Sequence, residues 1–550
     1  MVKKQKRNLL IITLLSILYF ILFVLPNLTG AKDVVMISTF EHDEFAQYPH
    51  VVRMITPGDT FYQSIRNFVV YLHYFYGYPF YFFSAISIFP LKIILGPDWI
   101  ENTKIIMVVL RQMINVLPMI MAALIMVFVT TKFKVLWKSL LLMLLLLTIP
   151  AVVSNNMWWH PDSLLTLFSV LTIFFLIQDD FKFGKYFYLS GIACGLAIGA
   201  KILGVLFVLT YAVYLFYGLF TKRLKIFRFL GSSILLLLIV VATVTISNPL
   251  LLLPIERGEI VRSFTMLLKE STSGFWVFSE SGNNNFSTVF SVLAANYGFS
   301  LITLVSIGSL IIALRKKETR TISIVNITWL IGFMVYFLFI ASTIRPHYFL
   351  PVMVPLYSNL LLLTPDDFSA WIKRNENETN KMRYLKILNL LLPILIVIQI
   401  GINLSKSENI YSQTINREKT SGSINLFSDT YDKYLSKIPD DRNITIYRDW
   451  RAYVKPKESY SIIYDWNLAN YEFIDEIDPD FMFIEYDNTH YFSDETKIEQ
   501  AIRPEEMVLM NRFYSDVYDE NVEGYQLLNK TDFGYVFVKD SMYEEFFVNK

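Results

Sequence analysis

Three short clusters gather residue types suited to acid–base and anion chemistry. The first is Glu41-His42-Asp43-Glu44. In a helix, Glu41 and Glu44 share a face with Asp43 beside them. The apolar, aromatic stretch that follows (Phe45, Tyr48, Val51, Val52) would hold the acids against a membrane surface. A carboxylate half-buried there has a raised pKa and can act as a general base. The plain alternative is a solvated acidic turn. The second cluster is Trp158-Trp159-His160-Pro161-Asp162, whose tryptophans mark a membrane–water boundary. Asp162 either takes part in chemistry or caps the helix that Pro161-Asp162-Ser163 would open. The third group is cationic: Arg111, Lys201 in Gly199-Ala200-Lys201-Ile202-Leu203-Gly204, and Arg345 in Arg345-Pro346-His347-Tyr348. A lysine at membrane depth costs about 2.5–3.5 kcal/mol on insertion scales, so it calls for a partner or a ligand unless it snorkels to the interface. The set suits an anion, phosphate first, because guanidinium and ammonium groups recognise it.

Other chemistries are not supported. The chain has no Walker motif, no G-x-G-x-x-G, no Cys/His cluster and no H-E-x-x-H. No cofactor is indicated. Glu41, Asp43 and His160 are metal-ligating types, but their spacing does not signal a divalent metal. Asn403-Leu404-Ser405, Asn443-Ile444-Thr445 and Asn529-Lys530-Thr531 fit the glycosylation acceptor pattern.

The elements that must position these residues follow from composition. Of 550 residues, 54% are hydrophobic and 18% charged, with 45 Phe and 33 Tyr. A typical soluble protein carries roughly 25% charged residues, and no single soluble core absorbs this much apolar surface. The net charge of +1 hides a split. Residues 405–550 carry 29 acidic against 16 basic side chains, leaving 1–404 with 33 basic against 19 acidic. The single cysteine, Cys194, allows no intrachain disulfide.

Apolar runs of about 20 residues are expected to cross a bilayer. Four cations in Met1–Arg7 precede the run 8–28, read as a retained anchor because no small-residue cleavage site follows. Further spans are expected at 105–130, 136–153, 163–178, 186–200, 203–220, 229–248, 293–314, 321–343, 349–364 and 386–404, with a broken helix pair around Lys201. The stretch 68–96 is interrupted by His73, Gly77, Pro79, Pro90 and Lys92. If it lies in the interface, the loop cations Lys132, Lys134, Lys138, Lys182, Lys185, Lys222, Arg223, Lys225, Arg228, Arg315, Lys316, Lys317, Arg320, Lys373, Arg374, Lys381, Arg383 and Lys386 all face the cytoplasm, as the positive-inside rule asks. A crossing there would turn them all outward. The expectation is therefore a polytopic α-helical membrane protein with about 11 spans and a cytoplasmic N-terminus. Residues 1–404 form the membrane module, with 29–104 as a first external loop bearing interfacial helices. The loops 154–162, 249–292 and 344–348 share that face. Residues 405–550 are expected as an extracytoplasmic α/β domain, from strand-like runs at Ile444–Tyr447, Tyr460–Tyr464, Phe481–Tyr486, Tyr525–Leu528 and Tyr535–Val538, with Asp494–Ile502 helix-compatible. The last residues, Phe547-Val548-Asn549-Lys550, are no retrieval signal, which favours a plasma membrane.

In this frame the pattern resembles the GT-C glycosyltransferases, in particular the branch of protein O-mannosyltransferases and bacterial aminoarabinose and related lipid-linked-sugar transferases. Asp43-Glu44 stands where that family has an acidic pair in its first external loop. Tyr78-Pro79-Phe80-Tyr81-Phe82 is similar to its proline–aromatic segment, with one proline where many members have two. Arg111 fits an arginine at the start of the next span, Asp162 a second external acid, Gly195-Leu196-Ala197 with Lys201 a glycine-rich helix ending in lysine, and Arg345, Tyr348, Leu350 and Pro351 an Arg-Tyr-Leu-Pro type motif. The match covers most of 1–364. It implies inverting transfer of a sugar from a polyprenyl-phosphate donor to a glycan, lipid or protein acceptor, with no nucleic-acid partner. Asp43, Glu44 and Asp162 would be catalytic, and Lys201, Arg345 and Arg111 would hold the donor phosphate. No metal is required by the resemblance. Glu41, His160, His347 and Tyr348 stand beside these as candidate substrate-binding residues, His160 and His347 without a counterpart in the family's motifs. The different-class alternative is a multi-span lipid or sugar transporter or flippase. Such proteins place their sites at the midplane between repeats, whereas these polar groups gather on one face and no repeat is present.

Overall fold

The computed structural model describes residues 3–274, 276–277, 285–298, 300–366, 380–466 and 468–548. The loop cations Lys373 and Arg374, parts of the 249–292 loop and the last two residues lie outside them. The apolar runs fold as helices, as they must where backbone groups have no water to bond. Eight described helices are long and apolar enough to cross a bilayer: Lys3–Asn27, Tyr78–Leu95, Thr103–Thr131, Asp162–Asp179, Ile202–Phe220, Ile226–Ser247, Arg320–Phe339 and Leu391–Lys437. The pair Phe286–Tyr297 and Leu301–Ala313, bent by 97°, would make a ninth. The chain is thus a multi-pass membrane protein. Other expected spans are shorter helices: Lys185–Ala200, Leu136–Leu147 followed by Pro150–Asn155, and Leu350–Ser358. Tyr78–Leu95, expected to lie in the interface, meets the same length and composition test. The Ile226–Ser247 helix is exposed at Leu230, Ile234, Leu237, Leu238 and Val241, the apolar surface a lipid-facing helix presents.

Two close approaches fix the part of this body that carries polar groups. Gly191, Gly195 and Gly199 repeat every four residues along Lys185–Ala200 and let Ile226–Ser247 pack against it. A Cβ on Gly195 would lie 2.6 Å from the Thr243 Cβ, and small residues at this spacing bring membrane helices together. At Gly77 a Cβ would fall 1.6 Å from the Gly199 carbonyl oxygen. The Gly77 N–H donates to the Ala200 carbonyl (3.3 Å), and the Tyr78 N–H donates to the Asn248 side chain (2.8 Å). The aromatic segment before Tyr78 is thereby pinned to the end of the Lys185–Ala200 helix. That helix stops at Lys201, whose backbone is extended (φ −154°, ψ 133°). A 3₁₀ turn, Ile202–Leu206, then leads into Phe207–Phe220.

A helix over Asn380–Thr420 runs unbroken through residue 404 and carries the chain out of the bundle. Beyond it, five strands form one mixed sheet: β1 (Ile444–Arg448), β2 (Tyr460–Ile463), β3 (Phe481–Glu485), β4 (Tyr525–Lys530) and β5 (Gly534–Lys539), in the order β2-β1-β3-β5-β4. β1 is parallel to β2 and β3, while β5 is antiparallel to β3 and β4. β3 is buried along its whole length because both faces are covered. Leu426 and Phe427 of Gly422–Lys433 pack with Ile446 and Phe483 on one face. Met510, Phe513 and Tyr514 of Pro504–Tyr518 pack with Tyr447 and Met482 on the other. The result is an α/β domain.

This domain grips the first loop. Arg448 at the end of β1 is buried and donates through Nη2 to the Ser38 hydroxyl (2.8 Å). The Tyr453 hydroxyl donates to Asp33 (3.1 Å). The rings of Phe45 and Tyr464 lie 5.1 Å apart, those of His42 and Trp450 4.8 Å. Ser38 and Phe45 belong to the helices Val34–Phe40 and His42–Ile55, so the domain holds the segment bearing the acidic cluster.

Behind that grip, Glu485 is buried at the end of β3. Burial, then the Asp449 carboxylate, push its carboxyl up to about 8 against the pull of Arg451. A carboxyl raised in the folded state binds its proton more tightly folded than unfolded. Its stabilising effect is present below the ordinary value of 4.5 and is lost as pH rises through about 8. We expect the thermal unfolding midpoint of the full chain to fall across that window, and Glu485→Gln to flatten the slope. A wild-type midpoint that rises with pH there overturns the assignment.

Candidate active site

Four segments far apart in sequence meet where the Lys185–Ala200 helix ends. Asp162 opens the helix Asp162–Asp179 and is fully buried, as is Asn115, whose side-chain oxygen accepts the His160 N–H (3.2 Å). The Asp162 Oδ1 accepts from Lys201 Nζ at 2.8 Å. Its Oδ2 lies against His160 Nδ1 in a short contact and 3.9 Å from His347 Nε2. A carboxylate paired with an ammonium only accepts, so His160 donates from Nδ1 and leaves Nε2 as an acceptor. The Tyr76 hydroxyl donates to that nitrogen at 2.6 Å. Burial lowers the pKa of His160, and more strongly that of His347, against the pull of Asp162. Both rings are neutral near pH 7. Trp158 stacks on His160 (4.0 Å, 13°) and meets His347 edge-on (4.7 Å), while Lys201 sits 4.5 Å over the Tyr348 ring.

Asp43 approaches this cluster from the first loop. It stands in the first turn of His42–Ile55, where an acid favours the helix dipole. Its side chain is 51% exposed, with Oδ2 4.0 Å from His160 Nε2. Glu44, the next residue, is turned the other way and fully buried. It takes the Arg111 guanidinium in a fork, Nε to Oε1 at 2.8 Å and Nη2 to Oε2 at 2.5 Å, and its Oε1 also accepts the Trp159 N–H at 2.7 Å. Arg111 gives its remaining nitrogen to the carbonyls of Asn27 (3.0 Å) and Thr29 (2.9 Å). Arg111 was expected at a donor phosphate and Glu44 among the catalytic acids. The geometry gives them to each other, because a buried guanidinium needs a carboxylate and saturated hydrogen bonds. Glu41 lies 3.8 Å from Arg417, and burial with the nearby Glu44 pushes its carboxyl up to about 7. Arg345 is exposed at the start of the 3₁₀ turn Pro346–Phe349.

Two cavities flank the cluster. One, of about 270 Å³, is lined by Tyr71, Phe75, Ile202, Leu251, Phe264 and Leu268 among other apolar side chains, with Lys201 and Tyr348 in its wall. The other, of about 240 Å³, is lined by polar groups including Glu41, Asn155, His347 and Arg417. The residues that sequence reasoning missed are Tyr76, Asn155 and Arg417. Tyr76 had a signal, since it lies in the aromatic run Tyr71–Tyr78. Arg417 had none, being one cation in an acidic tail. His160, Asp162 and His347 offer nitrogen and oxygen atoms all within 4.8 Å of one another, a spacing that suits a divalent cation. Both Asp162 oxygens are already engaged by Lys201 and His160, so a metal there would have to displace one of them.

Residues 95–255, which hold Arg111, Asp162 and Lys201, match the family model described as dolichyl-phosphate-mannose-protein mannosyltransferase. No curated protein is significantly similar in sequence. Among solved structures, the chain is similar to ArnT from Cupriavidus metallidurans bound to undecaprenyl phosphate, at 12% identity and a TM-score of 0.52, over 97% of this chain and 98% of that one. It also matches the Archaeoglobus fulgidus oligosaccharyltransferase tethered to an acceptor peptide, at 10% identity and a TM-score of 0.46, over 97% and 75% of the two chains. The ArnT likeness establishes the fold across bundle and C-terminal domain together.

Adjacent acids with opposite settings give a direct check. Glu44→Gln removes the partner of a buried guanidinium, and breaking a buried pair costs about 3–5 kcal/mol. Glu44→Gln is expected to lower the melting temperature of the purified protein clearly, and Asp43→Asn, at a half-exposed side chain, hardly at all. Equal melting of both variants overturns the division of roles.

Proposed function

We propose that this membrane glycosyltransferase of the GT-C type, using a polyprenyl-phosphate sugar donor, transfers the sugar with inversion to an acceptor at the extracytoplasmic face, with Asp43 as general base. The observation that carries the reading is the pairing of a half-exposed carboxylate, Asp43, with a cation, Lys201, across one buried histidine–aspartate link, at the mouth of an apolar cavity. The donor's lipid chain occupies that cavity and its phosphate meets Lys201. An ammonium has three donors, and only one is engaged by Asp162. Arg345, exposed just before the turn that carries His347 and Tyr348, adds a second cation as the phosphate leaves.

The step balances without a second acid. The acceptor's hydroxyl or amine attacks C1 of the sugar from the side opposite the phosphate and gives its proton to Asp43. The C1–O bond to phosphate breaks, and the lipid phosphate leaves with that electron pair, its charge met by Lys201 and Arg345. A phosphate ester leaves as an anion, so no acid need protonate it, unlike the paired carboxylates of glycoside hydrolysis. Asp162 and His160 are positioning residues: they fix the Lys201 ammonium and the Tyr76 hydroxyl. Glu44 and Arg111 set the angle of the helix that presents Asp43. His347 and Tyr348 border the sugar.

The N-terminus is cytoplasmic and the chain resides in a plasma membrane, with residues 405–550 as an extracytoplasmic domain near the acceptor; with Tyr78–Leu95 lying in the interface, the loop cations support that sidedness. The transporter reading is not favoured. The charged groups gather at the ends of helices, around the breaks at Lys201 and Pro346, and not at mid-helix.

The test uses full-length protein in nanodiscs with a panel of polyprenyl-phosphate sugars and follows release of lipid phosphate. Asp43→Asn is expected to lower turnover by about 10²-fold or more, the range removed with a general base, while donor binding persists. Lys201→Ala is expected to raise the donor KM most. Asp43→Asn turnover close to wild type sinks the base, and unchanged donor dependence in Lys201→Ala sinks the phosphate site.

A further inference from the structure

Three loops meet at the far end of the bundle from Asp162, and none of them serves the chemistry above. The helix Asp162–Asp179 has 18 residues and carries the chain about 27 Å away from the Asp162 cluster. There the loop 180–184 meets two others, 221–225 and 314–319, which join Phe207–Phe220 to Ile226–Ser247 and Ser300–Ala313 to Arg320–Phe339. Two arginines tie them together. Arg223 donates to the Asp180 carbonyl (2.9 Å) and sits 5.5 Å over the Phe181 ring. Arg320 donates to the Leu314 carbonyl (3.1 Å) and the Tyr217 hydroxyl (3.4 Å), and the Thr321 hydroxyl donates to the Asp180 side chain.

These braces gather further cations at one end, among them Lys182, Lys222, Lys225, Arg228, Lys316 and Lys317, all exposed. Among the described residues, no carboxylate forms a salt bridge with any of the six, although Asp180 and Glu318 are exposed in the same loops. Sidedness asks only that loops at this end be basic. It does not ask that they converge, and like charges drawn together repel. An anion against the patch relieves that repulsion. The flank of the patch says which kind of anion. Phe220 and Phe227 are 79% and 85% exposed, and exposed Leu230 and Ile234 continue the apolar stripe along Ile226–Ser247. Bare aromatic rings beside cations fit the boundary between acyl chains and headgroups, where lysine and arginine heads also come to rest. A soluble anion would leave those rings in water.

We propose that this patch binds the phosphate headgroups of anionic phospholipids in the leaflet it faces, with Phe220 and Phe227 among the acyl chains. The inference is independent of the donor and acceptor readings, because none of its residues belongs to the Asp162 cluster or lines either cavity.

The experiment titrates full-length protein in detergent with phosphatidylglycerol, phosphatidylcholine or inorganic phosphate and follows the thermal unfolding midpoint, which a ligand of the folded state raises. Phosphatidylglycerol is expected to raise it saturably, and the other two hardly at all. Each cation near an anionic surface is worth roughly fivefold in affinity. Lys222→Gln, Lys225→Gln and Arg228→Gln together should therefore shift half-saturation by on the order of 10²-fold. The same charge removed from the C-terminal domain, by Lys433→Gln, Lys437→Gln and Lys455→Gln together, should leave the titration as in wild type. A second measurement needs no variant and reports even if the patch variant fails to fold. In nanodiscs, amine-reactive labelling of Lys182, Lys222, Lys225, Lys316 and Lys317 should slow severalfold when phosphatidylglycerol replaces part of the phosphatidylcholine. Equal responses to the two lipids, or a response to inorganic phosphate that matches phosphatidylglycerol, overturn the proposal. So does an unchanged titration in the patch variant, or labelling indifferent to phosphatidylglycerol.

Discussion

A cation at the end of an apolar helix cannot stay there alone, and the arrangement of this protein follows from that constraint at Lys201. The lysine stands where Lys185–Ala200 breaks, and its charge is met by the buried Asp162 at 2.8 Å. Asp162 in turn needs its second oxygen satisfied, which draws in His160 and through it Tyr76. The links come from three separate parts of the chain. The requirement to pair one charge therefore fixes the first loop, the loop before Asp162–Asp179 and the break after Ala200 against one another. Gly77 makes this contact sterically allowed, because any larger residue there would collide with the Gly199 carbonyl.

The same logic separates the two acids of the first loop. Asp43 and Glu44 are neighbours, but a helix turns about 100° per residue. Glu44 therefore faces the bundle and meets Arg111, and Asp43 faces the open side. Which of the two would be buried was not legible in the sequence, since both carry the same charge and the helix phase is set by Phe45, Tyr48 and Val51 packing inward. The apolar runs were legible because length and hydropathy alone decide them, and the five strands because their apolar residues are bounded by turns. The helix Pro504–Tyr518 was missed although Met507, Met510, Phe513, Tyr514 and Val517 carry a helical period. Asp494–Ile502, helix-compatible by sequence, forms only the short helix Thr496–Glu499. Partners such as Arg417 and Arg448 depend on how the C-terminal domain is set down on the bundle, which no local pattern encodes.

That setting down has a physical consequence for the loop. Arg448 is buried among apolar rings, 5.9 Å from Phe45 and 5.5 Å from Tyr464, and still donates to Ser38. Burying a guanidinium at an inter-domain contact is unfavourable unless the geometry holds, so the contact tolerates little sliding. The helix bearing Asp43 is thus fixed from both sides, by Arg111 within the bundle and by Arg448 and Trp450 from the domain. For the general base proposed at Asp43, this rigidity matters, since misplacement of the reacting groups by about 1 Å can cost about 10²-fold in rate.

The two cavities extend this argument to substrates. One is apolar and has a cation in its wall; the other is lined largely by polar side chains. Trp158 and His347 line the polar one, Tyr348, next in the chain, lines the apolar one, and Asp43 reaches the same cluster through His160. For the donor proposed above, solvation favours the tail among Phe264 and Leu268 of the apolar cavity and the anionic joint at Lys201. The orientation follows from solvation alone, before any specific contact is counted. The Asp162–His160 link joins that cation to Asp43, the one carboxylate of the cluster that is left half-exposed.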